Sequence, residues 1–572
     1  MLSNQTEPEI HLLSPDPHSA QANARLSEQA ARDLGLAALA EALAPRAQLR
    51  PQLRDAFLAM LRRMTTDPDE IRYRQEVLQD LLDSPALAEG LEAVLPRLSQ
   101  LGFLRDYPYT TFLERVINRL GELETYVDCV RQLRELFEDP RVLVRSRGFL
   151  RLRDALIEQE RQPEFQSLVR QLPELRRQAS GVSSITIGIN LDAQLRPVAA
   201  TLLSFNDKPF AGRGDTLISR LLGESANGED SRGIARLHVV PKDMPSAPTS
   251  IGGKEFRRPD PFLFPLFRDL DQTLRRVMEP VSRALQAYMA VHSHLLAELE
   301  VEVAFFLSGA RLVRQMQAAG LAMCRAEIAP REERVCTVRS MYNLLLALRT
   351  LQARPGAPLD IVPNDVDFGE ARRIFVLTGP NQGGKTTYTQ GVGVLQVLFQ
   401  AGLYVPGETA RISPADNIFT HFPLEEKPET EAGRLGEEAQ RLGQIFQQAT
   451  RCSLVLFNES LTTTSPGESI YLARDILRAL RLWGVRAIFV THLHELAEDI
   501  DALNNSTAGE SRIASLVAGV VEDGDADSAR RSFRITASPP MGRSYARDIA
   551  HRHGISYEQL AQAHQERENR TG

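Results

Sequence analysis

The sequence predicts a multidomain protein: an α-helical domain with a small β-containing insertion, followed by an α/β domain organised around a phosphate loop. Three observations carry that prediction. Leu, Arg, Glu and Gln recur at helical spacing over about 45–180 and again over 266–326. Between these stretches, Ser184 to Asn190 and Val198 to Phe205 read as two strands around a polar turn at Asp192 to Arg196. After residue 337, β-rich runs alternate with helical patterns, and one junction holds Gly379-Pro-Asn-Gln-Gly-Gly384-Lys385-Thr386.

Length and composition bound the rest. A chain of 572 residues is long enough for several domains of about 100–200 residues. With 43% hydrophobic and 25% charged residues it has the balance of a globular protein. No apolar run approaches the roughly 20 residues of a membrane span. The opening MLSNQTEPEIHLL lacks a basic and then apolar signal pattern, so the expected location is the cytoplasm, with no membrane partner. Cys129, Cys324, Cys336 and Cys452 match neither a disulfide framework nor a zinc spacing and are expected as reduced core residues. A net charge of −7 argues against general adhesion to nucleic acid and leaves room for a local basic face.

Taken in order, residues 1–44 are polar and then alanine-rich, and are expected to form a mobile tail leading into a helix. Residues 45–336 form the helical domain; in EVLQDLLDSPALAEGLEAVLPRLSQL, Ser84-Pro85 marks a break between helices. The insertion occupies about 181–260. Within it, residues 205–260 hold seven glycines and five prolines, 21% against 12% for the chain, which marks them as loop-rich. Pro280 is the single proline of 266–326, so this stretch allows helices of about 45 residues, near 65 Å long. That length suits a lever, and equally a long helix packed on its own domain. Residues 337–572 form the α/β domain, with strand-like runs at Ile374 to Leu377, Ser453 to Phe457 and Ala487 to Val490, and helical patterns at 387–403, 434–450 and 468–482.

The candidate site follows from those strand ends. A glycine-rich turn at the positive end of a helix points backbone N–H groups at phosphate oxygens. The expected phosphate-binding set is Gly379, Pro380, Asn381, Gln382, Gly383, Gly384, Lys385, Thr386 and Thr387. Only five of the 67 basic residues are lysines, so a lysine at this position is pointed usage in an arginine-biased chain. The buried-looking run Ser453-Leu-Val-Leu-Phe-Asn-Glu459 ends in two polar side chains. Glu459 is the candidate to orient or deprotonate water. Thr386 and Asn458 are the candidate magnesium partners, the ion being held through water at Asn458. Asn458 stands where aspartate is usual; its amide oxygen accepts hydrogen bonds from water, yet it neutralises a cation less. Ala487 to His492 is a third strand, delivering a histidine that could meet a γ-phosphate or the water; a structural hydrogen bond is the alternative role.

These residues resemble the ABC-type ATPase domain of the MutS family of DNA mismatch repair. GPNQGGKTTY is similar to that family's GPN-x-GGK-S/T-TY, VLFNES to its VL-x-DE strand, LTTTSPGES to its following Thr-Ser loop, and FVTHLHEL to its ATH-x-x-EL segment. More distantly, VPNDV (362–366) resembles the segment before its first ATPase strand and LAELEVEVAF (296–305) the end of its lever helices. DPDEIRYRQEVLQDLL (67–82) resembles the opening of its helical core, and GRSYARDIA (542–550) its C-terminal dimerisation segment. The resemblance implies ATP and Mg2+ as cofactors, a homodimer through the ATPase domain, and DNA enclosed by a helical core and levers.

Three departures narrow it. With about fifty residues before the core, the family's mismatch reader with its Phe-x-Glu wedge is not expected; Phe112-Leu-Glu114 has the letters but lies in a helical run. By the same reading, the endonuclease domain of one MutS branch is not expected after residue 560. The segment that reaches a partner's nucleotide, usually Gly-x-Ser-Thr-Phe, reads Gly433-Arg434-Leu435-Gly436-Glu437. A basic face for DNA is expected in 141–178, with nine arginines against five acids, or in 254–276, with Lys254, Arg257, Arg258, Arg268, Arg275 and Arg276; arginines covering a helix surface are the plain alternative. The leading expectation is an ATPase acting as an ATP-gated clamp that recognises DNA structure. The alternative is a nucleotide-switched interaction protein with little hydrolysis and a protein partner. A small-molecule kinase leaves the long helices without a role.

Overall fold

The computed structural model describes residues 11–16, 24–44, 52–106, 112–179, 184–208, 275–288, 294–354, 359–423, 433–461, 465–522, 529–539 and 554–571, apart from positions 192, 195–196, 207, 276–277, 287 and 370. Two compact units form: Met1–Pro96 with Glu135–Ala155 and Glu298–Gly572, and Arg97–Arg134 with Leu156–Ala297. Residues 52–96, 135–155 and 298–336 therefore share a unit with the α/β sheet.

In the first unit, residues 24–44 depart from the mobile tail expected of them. Strand β1 (Ala24–Arg25) pairs antiparallel with β2 (Arg63–Met64). Ser27 caps the Glu28–Asp33 helix by accepting from Ala30 N, and Gly35, at φ 69°, turns the chain into a second helix, Leu36–Leu43. Leu26, Leu34, Leu36 and Leu39 are fully buried. Thr420 Oγ1 donates to Asp33 Oδ2 at 2.6 Å and Gln390 Nε2 to Asp33 O at 3.0 Å. Leu34 fills the space beside Gly393, where a Cβ would lie 2.3 Å from Leu34 Cδ2. These partners are more than 350 residues away in sequence, so local pattern carries no trace of them.

The second unit is helical with one hairpin. Leu120, Leu123, Val127, Val130, Phe165, Leu168 and Leu172 are buried, and the Tyr126 and Phe165 rings meet edge to face at 6.0 Å. Strands β3 (Ser184–Leu191) and β4 (Pro197–Asn206) form the antiparallel hairpin at the place the alternation predicted. Most of the glycine- and proline-rich stretch lies outside the described residues. Phe112 and Glu114 sit in the helix Phe112–Glu138, as their run implied. Within 266–326 the described residues include helical positions 278–286 and the helix His294–Ala318, most of which belongs to the first unit; residues 287 and 289–293 between them lie outside the described ones.

The α/β part of the first unit carries most of the strands. They are β5 (Met323–Cys324), β6 (Glu327–Ile328), β7 (Cys336–Met341), β8 (Asn364–Phe368), β9 (Arg372–Thr378), β10 (Val405–Pro406), β11 (Thr409–Ile412), β12 (Ile418–His421), β13 (Leu454–Asn458), β14 (Arg486–Val490), β15 (Arg512–Glu522) and β16 (Ala529–Thr536). The main sheet runs β12-β13-β14-β9-β15-β16, parallel except for β16. A four-stranded sheet, β6-β11-β7-β8, and a β5–β10 pair accompany it. β13 and β14 are buried throughout, as continuous apolar strands between helical layers must be. Helices Gly433–Gln448 and Pro466–Trp483 pack Leu442, Ile445, Ala473, Ile476, Leu477 and Leu480 into one core with Val455, Phe457, Ala487 and Phe489. The helix Lys385–Gln400 is buried along nearly its whole length. Gln400 donates to Thr65 O and Ala415 O, and Arg74 donates to Gln400 O, which ties the first helices to this sheet. The four cysteines are free thiols. Among the described residues no helix is long and apolar enough to cross a membrane.

Candidate functional site

β13, β14 and β9 are neighbours in one parallel sheet, so their C-terminal ends open onto the same edge, where ligands of such sheets bind. β9 leads into the glycine turn and then the Lys385–Gln400 helix. Gly379 (φ 134°), Gln382 (φ 61°) and Gly384 (φ 90°) take the left-handed or mirror-β side of the map. A Cβ on Gly379 would lie 2.8 Å from Ala518 Cβ and 2.9 Å from Ala518 O, so glycine is required there by both φ and space.

Lys385 is 3% exposed. Its ammonium donates to Gly379 O and Pro380 O, each at 2.9 Å. Burial pushes its pKa down, and the negative charge of Glu459 pulls it partly back. A buried ammonium resting on two neutral carbonyls, at the head of a helix whose first N–H groups have no intrahelical acceptor, is a place of excess positive potential. An anion fits it.

Thr386 Oγ1 donates to Asn458 Oδ1 at 3.0 Å, joining the turn to the end of β13. Glu459 follows at φ 52°, with its N–H on Val490 O at 3.0 Å and its Oε1 2.8 Å from His492 Nε2. The His492 hydrogen bond holds the Glu459 carboxyl below the usual carboxylate range, against the opposing pull of partial burial; the His492 and Lys385 charges add to the lowering. Glu459 is therefore ionised at neutral pH, suited to accept a hydrogen bond from water and a weak acceptor of a full proton. Lys385, Thr386, Asn458, Glu459 and His492, drawn from three strand ends, meet in one place.

A cavity of about 450 Å3 opens beside them. Gln382, Gly383, Gly384, Lys385, Thr386, Thr387 and Glu459 line it, whereas Gly379, Pro380 and Asn381 do not. Asn381 is exposed. The rest of its wall mixes apolar Tyr342, Leu346, Ile361, Val362 and Phe533 with polar Asn343, Asp360 and Asn364. Sequence reading missed this wall except for the VPNDV segment. Asn364 of that segment donates to Phe533 O at 3.0 Å and accepts from Ile535 N at 2.6 Å, fixing Phe533 at the mouth of the cavity from 169 residues away. No spacing signal marks Phe533.

Six of the nine arginines in 141–178 have partners within the fold. Arg141 pairs with Asp139, Arg147 with Asp69 and Glu76, Arg153 with Asp154, Arg176 with Glu124 and Arg177 with Glu174. Arg151 donates to Pro15 O. Residues 254–274 lie outside the described residues, and Arg275 sits over the Phe112 ring at 5.5 Å. GRSYARDIA (542–550) is outside them as well. Gly433 begins a helix, so the segment that departs from the family's trans contact is a helix start.

Fold and site together define a class: proteins with a glycine-rich turn at the carboxyl edge of a mostly parallel sheet, joined to a helical region. Within that class the chain belongs to the MutS family. Residues 66–319 match the family model for the MutS2 N-terminal domain, and residues 375–566 that for MutS domain V, the ATPase domain of the family. The chain is 34% identical over 208 residues to the Endonuclease MutS2 of Thermomicrobium roseum, covering 35% of this chain and 24% of that protein. It is 31% identical over 238 residues to the DNA mismatch repair protein MutS of Granulibacter bethesdensis, covering 40% and 25%. It is 28% identical over 347 residues to the DNA mismatch repair protein MutS of Anaeromyxobacter dehalogenans, covering 57% and 36%. The chain thus spans 24% to 36% of the length of these curated relatives.

Proposed function

We propose that this chain binds and hydrolyses ATP, and that as a dimer joined through its ATPase domain it works as a nucleotide-gated clamp on DNA, recognising backbone shape such as junctions or branches in repair or recombination. The observation that carries this reading is the meeting of Lys385, the Thr386–Asn458 pair and the Glu459–His492 pair on one sheet edge beside a 450 Å3 cavity, within a MutS ATPase domain. In this reading the glycine turn and Lys385 hold the phosphates of ATP, and Thr386 and Asn458 hold Mg2+, at Asn458 through water. Bound Mg2+ supplies charge neutralisation at the phosphates. Glu459 orients the attacking water as an acceptor, and His492 keeps Glu459 ionised and aimed. Residues 45–336 serve as the core and levers on DNA, and residues 337–572 as the ATPase and dimerisation part.

A second reading draws on Asn458. Thr386 donates to a neutral amide where a carboxylate is usual, which weakens the hold on a divalent cation. That favours a slow switch whose nucleotide-bound dimer recruits a protein partner. ATP turnover of the wild type, measured alone and with branched DNA at low salt, separates the two. Stimulated turnover together with salt-sensitive DNA binding whose lifetime changes with ATP supports the clamp; tight ATP binding with negligible turnover and no DNA binding supports the switch.

A further inference from the structure

The turn that carries Glu459 is held in an unusual way. Glu459 (φ 52°) and Leu461 (φ 65°) are both non-glycine residues in the left-handed region, separated by Ser460. Such a turn persists only where its surroundings over-determine it. Four contacts do so. Glu459 N donates to Val490 O at 3.0 Å, and Ser469 Oγ donates to Leu461 O at 2.6 Å. Ser460 Oγ is 2.7 Å from His421 Nδ1 and donates to His421 O at 3.3 Å. The fourth is the carboxylate of Glu438, whose Oε1 accepts from Leu461 N at 3.0 Å.

The first three holders belong to elements fixed in the core: His421 and Ser469 are buried, and Val490 ends a buried strand. Glu438 differs. It stands in the second turn of the Gly433–Gln448 helix, which is anchored to the core further along, at Leu442 and Ile445, while residues Gly436, Glu437, Glu438, Ala439 and Gln440 are exposed or half-buried. Glu438 thus reaches the turn from a part-exposed stretch of helix, whereas the other three holders reach it from buried positions. Its grip on Leu461 N is a single charge-assisted hydrogen bond.

We propose that Glu438 is a positioning residue for the reaction: through Leu461 N it holds the 459–461 turn so that Glu459 faces the nucleotide cavity, and a shift of the helix start at Gly433 is felt by Glu459 through this bond. The proposal rests on the reading of Glu459 as the residue that orients water. Misplacing a reacting group by about 1 Å costs on the order of 10²-fold in rate. Glu438→Ala is therefore expected to lower kcat at least about tenfold while the Kd for a non-hydrolysable ATP analogue, and the melting temperature, stay near wild type. Glu438→Gln, whose amide oxygen can accept the same N–H, should restore most of the loss. The double variant Glu438→Ala/Glu459→Gln should be no slower than Glu459→Gln alone, because both act at one point.

The outcomes separate. Loss of turnover in Glu459→Gln with unchanged turnover in Glu438→Ala overturns the positioning role alone. Equal turnover in wild type and Glu459→Gln, or no turnover in wild type, overturns both readings. If Glu438→Ala melts early, Glu438→Gln decides: a folded Glu438→Gln at wild-type kcat supports the hydrogen bond, and one as slow as Glu459→Gln contradicts it. A double variant much slower than Glu459→Gln would show that Glu438 acts elsewhere.

Discussion

Two turns at the same edge of one sheet solve the same steric problem differently. The turn at 379–384 takes most of its left-handed or mirror-β positions on glycines, where φ > 0 carries little strain. The turn at 459–461 puts Glu459 and Leu461 in the left-handed region, which costs each about 1–3 kcal/mol. The first turn is specified by its own residues. The second is specified by its neighbours: His421 from β12, Glu438 and Ser469 from two helices, and Val490 from β14. A locally specified turn suits a passive cradle, whereas one held from outside can respond to what its holders do.

Substitutions can break or sharpen this contrast. The largest effect is expected at the cradle. Lys385→Met removes a buried cation and leaves a fitting apolar stem, so ATP binding should weaken by roughly 100-fold or more while the melting temperature holds or rises; isothermal titration with ATP and a thermal scan check it. Gly379→Ala forces a Cβ to within 2.9 Å of Ala518 O and should destabilise the domain by about 3 kcal/mol or more, read from denaturant midpoints.

The outside-held turn has a pH signature. Burial, with a smaller contribution from the Arg441 charge, depresses the His421 pKa from 6.5 to about 4, and among the described residues its Nε2 has no partner. Because the folded pKa lies below the unfolded one, the unfolded chain binds more protons between these values. The contribution is fully present above pH 6.5 and is lost as pH falls towards 4, about 3 kcal/mol in all. Unfolding free energies across that window should show a fall that His421→Gln lessens.

Effects of similar and then smaller size are expected at residues 24–44. Leu34→Ala should cost about 3 kcal/mol, because the neighbouring Gly393 cannot fill the space. Ser27→Ala should cost about 1 kcal/mol through loss of its cap. An unchanged melt for Leu34→Ala would mean that this segment does not pack on the sheet in solution.

Legibility followed the same division. The glycine turn, the strands 454–458 and 486–490 and the hairpin of 184–206 were all readable, because composition within a few residues determines them. The packing of residues 24–44 escaped because it depends on Gln390, Gly393 and Thr420. Phe533 escaped because Asn364 places it. Lys385, Glu459 and His492 were readable as strand ends, but Glu438, Ser469 and His421 were not, since nothing in their spacing says which backbone they hold.

The most direct test compares steady-state ATP turnover and ATP-analogue binding in wild type and Glu459→Gln. With Glu459 oriented over the cavity by its borrowed turn, turnover should fall by about 100-fold or more while binding is retained. Equal turnover in the two proteins would contradict the account.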